Sequence, residues 1–187
     1  MKVYIHYALV LLIITALACG ILAIVNEKTS PIIEANMKEE ENKARNEVIE
    51  GADIFEKQAL SNGSEYYVAK DKDDNLLGYT FIAIGKGYSS DVQTMVGINT
   101  NFRITKIIII QQSETPGLGA NCTKPEFSEK FHNLKTEDLL VDKDGGTIKS
   151  MTGATITTRT ITKSIRQQLE QLEKEIVGVN FISGGER

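Results

Sequence analysis

The chain has 187 residues, and its 25 acidic and 21 basic side chains give a formal net charge of −4. This charge offers no electrostatic basis for binding nucleic acid. The two cysteines lie far apart along the chain, as do the two histidines, so the sequence predicts no metal ligands, no iron–sulfur site and no histidine-dependent catalytic group. The length suits a membrane anchor and one folded domain with a single core.

An uncharged apolar run lies near the N-terminus. Residues Val3 to Val25 contain no formally charged side chain, and a helix of this length would extend roughly 35 Å, enough to cross the hydrocarbon core of a bilayer. The run is longer than the apolar region of a cleaved signal peptide, which has about 7–15 residues. We therefore predict a retained transmembrane anchor over residues 1–28. Lys2 precedes the run and mostly acidic side chains follow it, which predicts a cytoplasmic N-terminus.

A second helix is predicted after the anchor. Ser30 followed by Pro31 is typical of an N-cap and a first helical position, and Gly51 is typical of the residue that ends a helix. The segment between them is rich in charged side chains. We therefore predict a solvated, juxtamembrane helical stalk over residues 29–51 rather than a second membrane segment.

The remainder of the chain, residues 52–187, is predicted to form one α+β domain with a mainly antiparallel sheet packed by helices. Residues Ile107 to Ile110 are apolar at every position, so their strand is predicted to be buried on both faces, in the middle of the sheet. Four strands in two hairpins are expected at Glu65–Lys70, Leu76–Ile84, Asp91–Asn99 and Arg103–Gln112.

Two helices are predicted in the same domain. A short one places Phe127, Phe131 and Leu134 on one face, and we expect these side chains in the core. A long amphipathic helix is predicted over Ile156 to Val177, packed on the sheet. The glycine-containing tail, residues 184–187, is expected to be frayed.

A stretch of small and hydroxyl-bearing residues runs from Ser150 to Thr158, immediately before the long helix. Glycine lets a ligand approach the backbone closely, and the free N–H groups at a helix N-terminus attract phosphate. This composition therefore suggests a phosphate site. Taken alone, the stretch is more typical of a Ser/Thr-rich helix cap without a ligand.

Two motifs in the chain resemble those of the FMN-binding domain family. Residues Thr152 to Thr155, followed by Ile156 to Thr158, resemble its flavinylation motif, and Glu114 to Gly119 resemble its second signature, Glu-Thr-Pro-Gly-Leu-Gly. With the anchor and the short length, the chain is similar to the G subunits of Rnf electron-transport complexes. The family usually has an acidic residue six positions before the modified threonine; this chain has Lys149 there, and Asp144 is the nearest upstream acid.

The resemblance implies that Thr155 carries FMN. The bond would be a phosphodiester through the FMN phosphate, made by a flavin transferase that consumes FAD. In this view Gly153 and Ala154 leave room for the ribityl chain, and residues 114–119 contact the isoalloxazine ring or its tether. The other cofactor-binding residues that the resemblance implies are Thr152, Gly153, Ala154, Thr157, Thr158, Glu114, Thr115, Gly117, Leu118 and Gly119.

The resemblance also implies a function. The chain would be an electron-carrier subunit, without substrate turnover of its own, in a ferredoxin:NAD⁺ oxidoreductase coupled to Na⁺ or H⁺ translocation. Its partners would be the lipid bilayer, the other membrane, iron–sulfur and flavin subunits, and the flavin transferase during maturation. The FMN domain would lie on the extracytoplasmic side of the cell membrane.

Two alternatives remain open at this stage. One is the C subunit of the Na⁺-translocating NADH:quinone reductase, whose chain is longer. The other is a non-redox, membrane-anchored binding or assembly module, in which the threonine cluster is only a helix cap.

Overall fold

The computed structural model describes the backbone of residues 2–183 and the side chains of residues 4–178. The chain divides into two compact units, one ending at Glu40 and the other beginning at Glu41. The predicted division into an anchor over residues 1–28, a stalk over 29–51 and a domain over 52–187 stays a prediction. The predicted frayed tail, residues 184–187, lies outside the described residues.

Helix α1 spans Lys2–Val48 and contains Pro31. The prediction that a separate helix begins at Ser30 is therefore wrong. The Thr29 hydroxyl donates to the carbonyl of Val25 at 2.9 Å, and the Ser30 hydroxyl likewise bonds to a side chain one turn earlier, so neither side chain caps a new helix. Proline in a helix interior removes one backbone hydrogen bond, and the helix of 47 residues nevertheless continues through Pro31.

The part of α1 that lies in the first unit exposes the side chains that the structure describes there. Every side chain described between residues 4 and 40 is exposed, and the helix is long and apolar enough to cross a membrane. An apolar helix surface without a protein partner is stable in an apolar environment such as a bilayer. This unit is therefore suited to anchor the chain in a membrane.

The second unit contains a five-stranded antiparallel sheet in which neighbours along the chain are neighbours in space. Its four predicted strands are confirmed, with small differences at their ends. An additional edge strand precedes them, and its mostly exposed side chains give no clear alternation that would have predicted it. The strands are β1 (Ile54–Ala59), β2 (Glu65–Lys70), β3 (Leu76–Lys86), β4 (Asp91–Asn99) and β5 (Ile104–Gln111).

Strand β5 lies at an edge of the sheet, so its predicted central position is wrong. The strand nevertheless has four consecutive isoleucines, Ile107 to Ile110, because both of its faces are covered. Ile107 and Ile109 pack into one hydrophobic cluster, whereas Ile108 and Ile110 pack into another on the opposite face. A continuous apolar run therefore indicates that two faces are covered, and it does not indicate how many neighbours a strand has.

The two hydrophobic clusters fix what packs on each face of the sheet. Helix α3 (Thr155–Ser183) covers one face through side chains at helical spacing, which are Ile161, Ile165, Leu169 and Leu172. The last turns of α1 cover the other face, where Gly97 permits close approach, since a Cβ there would lie 2.5 Å from the carbonyl oxygen of Val48. The Thr105 hydroxyl also donates to that oxygen, at 2.6 Å.

Residues 112–154 connect β5 to α3 through turns, short 3₁₀ segments and the four-residue helix α2 (Pro125–Ser128). Phe127 and Phe131 are buried in the cluster beneath α3, and Leu134 is partly buried against it, so their predicted place in the core is confirmed. These contacts hold the connection against the sheet. As a result, the loop that follows β5 and the stretch before α3 meet at one end of the domain.

Candidate functional site

A cleft of about 480 Å³ lies where the β3–β4 turn, the loop after β5 and the N-terminus of α3 meet. The three segments come from distant parts of the chain, so the cleft exists only in the folded domain. Its walls combine hydroxyl-bearing, glycine and apolar residues with one acidic residue, namely Tyr88, Glu114, Thr115, Leu118, Gly119, Gly153, Ala154, Thr155, Ile156 and Thr157.

Helix α3 presents unsatisfied donors at this cleft. The first backbone bond of the helix runs from the N–H of Thr158 to the carbonyl of Ala154, at 3.1 Å. The N–H groups of Thr155, Ile156 and Thr157 have no hydrogen-bond partner among the described residues. Free N–H groups and the helix dipole together favour an anion at this position.

The threonine hydroxyls near the cleft are not equivalent. Thr157 Oγ1 donates to Glu114 Oε2 at 2.6 Å. Thr158 Oγ1 donates to the carbonyl of Ala154 at 3.0 Å and accepts the N–H of Met151 at 3.1 Å, so it is fully engaged inside the protein. In the described structure, the half-buried Thr155 hydroxyl has no hydrogen-bond partner, although it lines the cleft. Thr155 is therefore free to react or to bind a ligand without breaking an internal contact.

Glu114 is a buried acid, with 5% of its surface exposed. Its carboxylate accepts the N–H groups of Ser89 and Ser90 at 2.8 and 3.0 Å, besides the hydroxyl of Thr157. Burial alone would raise the pKa of Glu114, but the hydrogen bonds from Thr157 and the β3–β4 turn outweigh it and lower the pKa below its ordinary value. The side chain is thus ionised at neutral pH and joins two walls of the cleft.

Two glycines in the motifs are required by geometry. Gly153 has φ +74°, a left-handed conformation that side chains disfavour, and a Cβ on it would lie 2.8 Å from Leu118 Cδ2. A Cβ on Gly119 would lie 2.6 Å from Glu114 Oε2. These residues therefore bring the backbone close to neighbouring side chains.

The structure gathers eight of the eleven predicted site residues around the cleft. Thr152 and Gly117 are exposed and do not line it, and the buried Thr158 hydroxyl faces the preceding loop instead. Two residues that line the cleft were missed: Tyr88, which is 74% exposed, and Ile156, which is half exposed. The eight are Glu114, Thr115, Leu118, Gly119, Gly153, Ala154, Thr155 and Thr157.

A signal for Tyr88 was present in the sequence, because this large aromatic residue directly follows the glycine-containing turn after β3. Ile156 was assigned only to the start of the predicted helix and to the stretch that resembles the flavinylation motif. It occupies the first turn of α3, on the side that faces the cleft. Periodicity identifies the buried face of a helix, but it does not reveal a ligand at the helix end.

The upstream acid has a structural partner. The Asp144 carboxylate accepts two hydrogen bonds from the guanidinium of Arg159, both at 2.7 Å, and the bond to Arg159 lowers the pKa of Asp144. Arg159 lies one turn after Thr155 on α3. Lys149 is exposed, and its carbonyl accepts the Lys130 ammonium at 3.0 Å. The pair formed by Asp144 and Arg159 braces the first turns of α3 against the preceding turn.

Comparison with known proteins identifies the family. The model of the FMN-binding domain family matches residues 87–170, and that of the RnfG N-terminal region matches residues 2–48. The G subunit of the proton-translocating ferredoxin:NAD⁺ oxidoreductase complex of Clostridium ljungdahlii is 33% identical over 165 residues, covering 86% of this chain and 88% of that one. The chain belongs to the family of Rnf complex G subunits.

Further relatives agree with this membership. The G subunit of the Na⁺-translocating ferredoxin:NAD⁺ oxidoreductase complex of Acetobacterium woodii is 31% identical to this chain. The alignment covers 90% of this chain and 91% of the Acetobacterium subunit. The resemblance based on the two sequence motifs is thereby confirmed. The chain is a G-type subunit of an ion-translocating oxidoreductase complex and has an FMN-binding domain.

Solved structures confirm the α+β fold of this G-type subunit. The crystal structure of the C subunit of the Na⁺-translocating NADH-quinone reductase from Parabacteroides distasonis aligns with a TM-score of 0.55 at 19% identity, covering 75% of this chain and 94% of that one. The crystal structure of NqrC from Shewanella oneidensis aligns with a TM-score of 0.50 at 18% identity, covering 60% of this chain and 63% of that one. At these identities the likeness concerns the fold alone.

The residues of the cleft fit FMN. A phosphate would meet the three unpartnered N–H groups at the start of α3, beside the free hydroxyl of Thr155. The aromatic ring of Tyr88 and the apolar side chains of Leu118 and Ile156 are exposed at the same cleft. These side chains offer a surface on which a flat aromatic ring can pack, whereas the N-terminus of α3 offers polar N–H groups.

Proposed function

We propose that this G-type subunit is an electron carrier whose FMN is bound covalently, through its phosphate, to Thr155. The observation that carries the proposal is the Thr155 hydroxyl, which lines the cleft and has no partner within the described structure. Thr157 and Thr158 have committed their hydroxyls to internal hydrogen bonds. Esterification of Thr155 would therefore cost no existing side-chain hydrogen bond.

The helix end supports the anionic part of the linkage. When a flavin transferase cleaves FAD, Thr155 Oγ would displace AMP and leave one negative charge on the phosphodiester. The N–H groups of Thr155, Ile156 and Thr157 are available to hydrogen-bond the remaining phosphate oxygens. Bound FMN would supply one- and two-electron transfer, while the protein residues hold and orient it.

The apolar anchor supports the role of a carrier. Helix α1 would hold the subunit in the membrane with its N-terminus in the cytoplasm and the FMN domain on the extracytoplasmic side. Covalent attachment would keep the flavin at a high local concentration there. Electrons would pass to and from the flavin or iron–sulfur subunits of the same complex, and this subunit would turn over no substrate alone.

The linkage is tested by Thr155→Val, which keeps the shape of the side chain and removes the hydroxyl. The full chain is produced with a flavin transferase, and in-gel flavin fluorescence and peptide mass spectrometry are measured. Wild-type protein should gain the mass of FMN less one water on the peptide that contains Thr155. Thr155→Val should lose the adduct, and Thr147→Val, at an exposed site outside the cleft and outside both motifs, should keep it.

Each outcome decides between the candidate functions. Flavin that survives in Thr155→Val refutes the assignment of the linkage to this residue. Wild-type protein that stays unmodified in the presence of an active transferase refutes the covalent carrier and favours the non-redox assembly module. Fold stability should be unchanged in Thr155→Val, because the hydroxyl has no internal partner to lose.

A further inference from the structure

Glu114 is a buried anion without a cationic partner. The residue lines the cleft and is 5% exposed. Within the described part of the chain, no lysine, arginine or histidine forms a salt bridge with it. A carboxylate out of water is costly unless hydrogen bonds or opposite charges compensate it, so its surroundings must supply the compensation.

Neutral donors provide that compensation. Oε2 accepts the Thr157 hydroxyl at 2.6 Å and the N–H of Tyr88 at 3.3 Å. Oε1 accepts the N–H groups of Ser89 and Ser90 at 2.8 and 3.0 Å. These dipoles keep the carboxylate ionised without cancelling its charge, since none of the donors is itself a cation.

The backbone also leaves space for this side chain. A Cβ on Gly87 would lie 2.6 Å from Glu114 Oε1, and a Cβ on Gly119 would lie 2.6 Å from Oε2. The backbone N–H of Glu114 is held in turn by Gln112 Oε1 at 2.7 Å. The carboxylate is therefore fixed from several directions, and it cannot turn out to solvent without breaking its hydrogen bonds with Thr157 and the β3–β4 turn.

A fixed negative charge has a predictable effect on a flavin in the same cleft. Reduction adds electrons to the flavin, and a like charge close by makes this addition less favourable. The same charge acts on another neighbour in the structure. Burial raises the pKa of the Cys122 thiol to about 11, and the negative charge of Glu114 is the second cause.

We propose that Glu114 is a positioning residue that joins the first turn of α3 to the β3–β4 turn and holds a negative charge beside the flavin, which lowers the reduction potential of bound FMN. The proposal rests on the proposed function. Glu114 is thus not a hydrogen-bonding ligand of FMN, since its oxygens are occupied by protein donors. It acts on the cofactor through charge and through the placement of α3.

Three variants of the full chain, each loaded with FMN by the transferase, separate charge from shape. Glu114→Gln removes the charge and keeps the volume, and its amide can still accept from Ser89 and Ser90 while donating to Thr157. Thr157→Val keeps the charge and removes one hydrogen bond. Glu126→Gln removes one negative charge from an exposed position outside the cleft and serves as the control for net charge.

Spectroelectrochemical titration and flavin fluorescence anisotropy are measured on all three. In Glu114→Gln, the ratio of reduced to oxidised flavin at the wild-type midpoint should rise about threefold or more. In Thr157→Val this ratio should stay near the wild-type value, and the anisotropy should fall because the flavin is held less rigidly. Glu126→Gln should match wild type in both measurements.

An unchanged midpoint in loaded Glu114→Gln refutes the proposal, and so does an equal shift in Thr157→Val. If Glu114→Gln fails to fold, carboxyl ¹³C NMR of the loaded wild-type chain replaces it. A Glu114 carboxyl that stays ionised at pH 7 and below supports the proposal, and a protonated one at pH 7 overturns it. Failure of the proposed function gives a different result, because the wild-type protein then carries no flavin adduct.

Discussion

Gly153→Ala measures how far the backbone before α3 is constrained. Gly153 has φ +74°, and a left-handed conformation costs a residue with a Cβ about 1–2 kcal/mol. The Cβ would also lie 2.8 Å from Leu118 Cδ2, the end of a partly exposed side chain that can rotate away at small cost. Alanine also lowers the conformational entropy of the unfolded chain, which offsets about 0.4–1 kcal/mol of this cost in folding free energy. The net loss should be about 1 kcal/mol.

Gly63→Ala is the matched control for this substitution. Gly63 has φ +85° in the turn between β1 and β2, and a Cβ there meets nothing within 4 Å. Both variants therefore carry the same backbone strain, and only Gly153→Ala adds the contact with Leu118. For a domain of this size, 1 kcal/mol corresponds to a shift in Tm of about 2–5 °C, which thermal denaturation of the full chain in detergent resolves.

The two variants should differ in flavin loading more than in stability. Both should lower Tm by a similar amount, and only Gly153→Ala should reduce the yield of flavin adduct, because its Cβ displaces Leu118, which lines the cleft. A Gly153→Ala protein as stable as wild type would refute the strain argument. Equal adduct yields in Gly153→Ala and Gly63→Ala would show that the cleft does not depend on a bare backbone at residue 153.

Two further predictions concern packing and pH. Gly97→Ala should destabilise the domain more than Gly153→Ala, because its Cβ would lie 2.5 Å from a backbone oxygen, that of Val48, which cannot rotate away; thermal denaturation of both variants compares them. The lowered pKa of Glu114 means that its contribution to stability is present above its unfolded pKa, about 4.3, and is lost as pH falls through the lower folded pKa. The difference in Tm between wild type and Glu114→Gln should therefore shrink between pH 7 and pH 3.

Local patterns in the sequence were sufficient for most of the secondary structure. The alternation and turn residues of the two hairpins predicted β2 to β5, and helical spacing predicted α3 and its buried face. Local rules failed at Ser30 and Pro31, where a continuous helix overrides a cap signal. They also misplaced β5, because an unbroken apolar run reports covered faces and not the order of strands.

In the candidate site, too, local sequence patterns predicted some features and the fold decided others. Thr155 and the loop at 114–119 were predicted from two sequence motifs, because a motif is a local property of the chain. The motif singled out Thr155, but it did not show that the Thr158 hydroxyl is engaged in internal hydrogen bonds whereas the Thr155 hydroxyl is free, because this depends on the groups that each one faces in the folded domain.

The apolar N-terminal helix, the hairpins and the two motifs were determined by the sequence itself, since each depends on neighbours within one segment. Tertiary structure alone decided that Glu114 meets Thr157 and the turn at Ser89 and Ser90. Those partners lie 24 to 43 positions away along the chain, and only the closure of the sheet against α3 brings their donors to one carboxylate. A hydrogen bond has a range of about 3 Å, so which groups share it is settled by the fold.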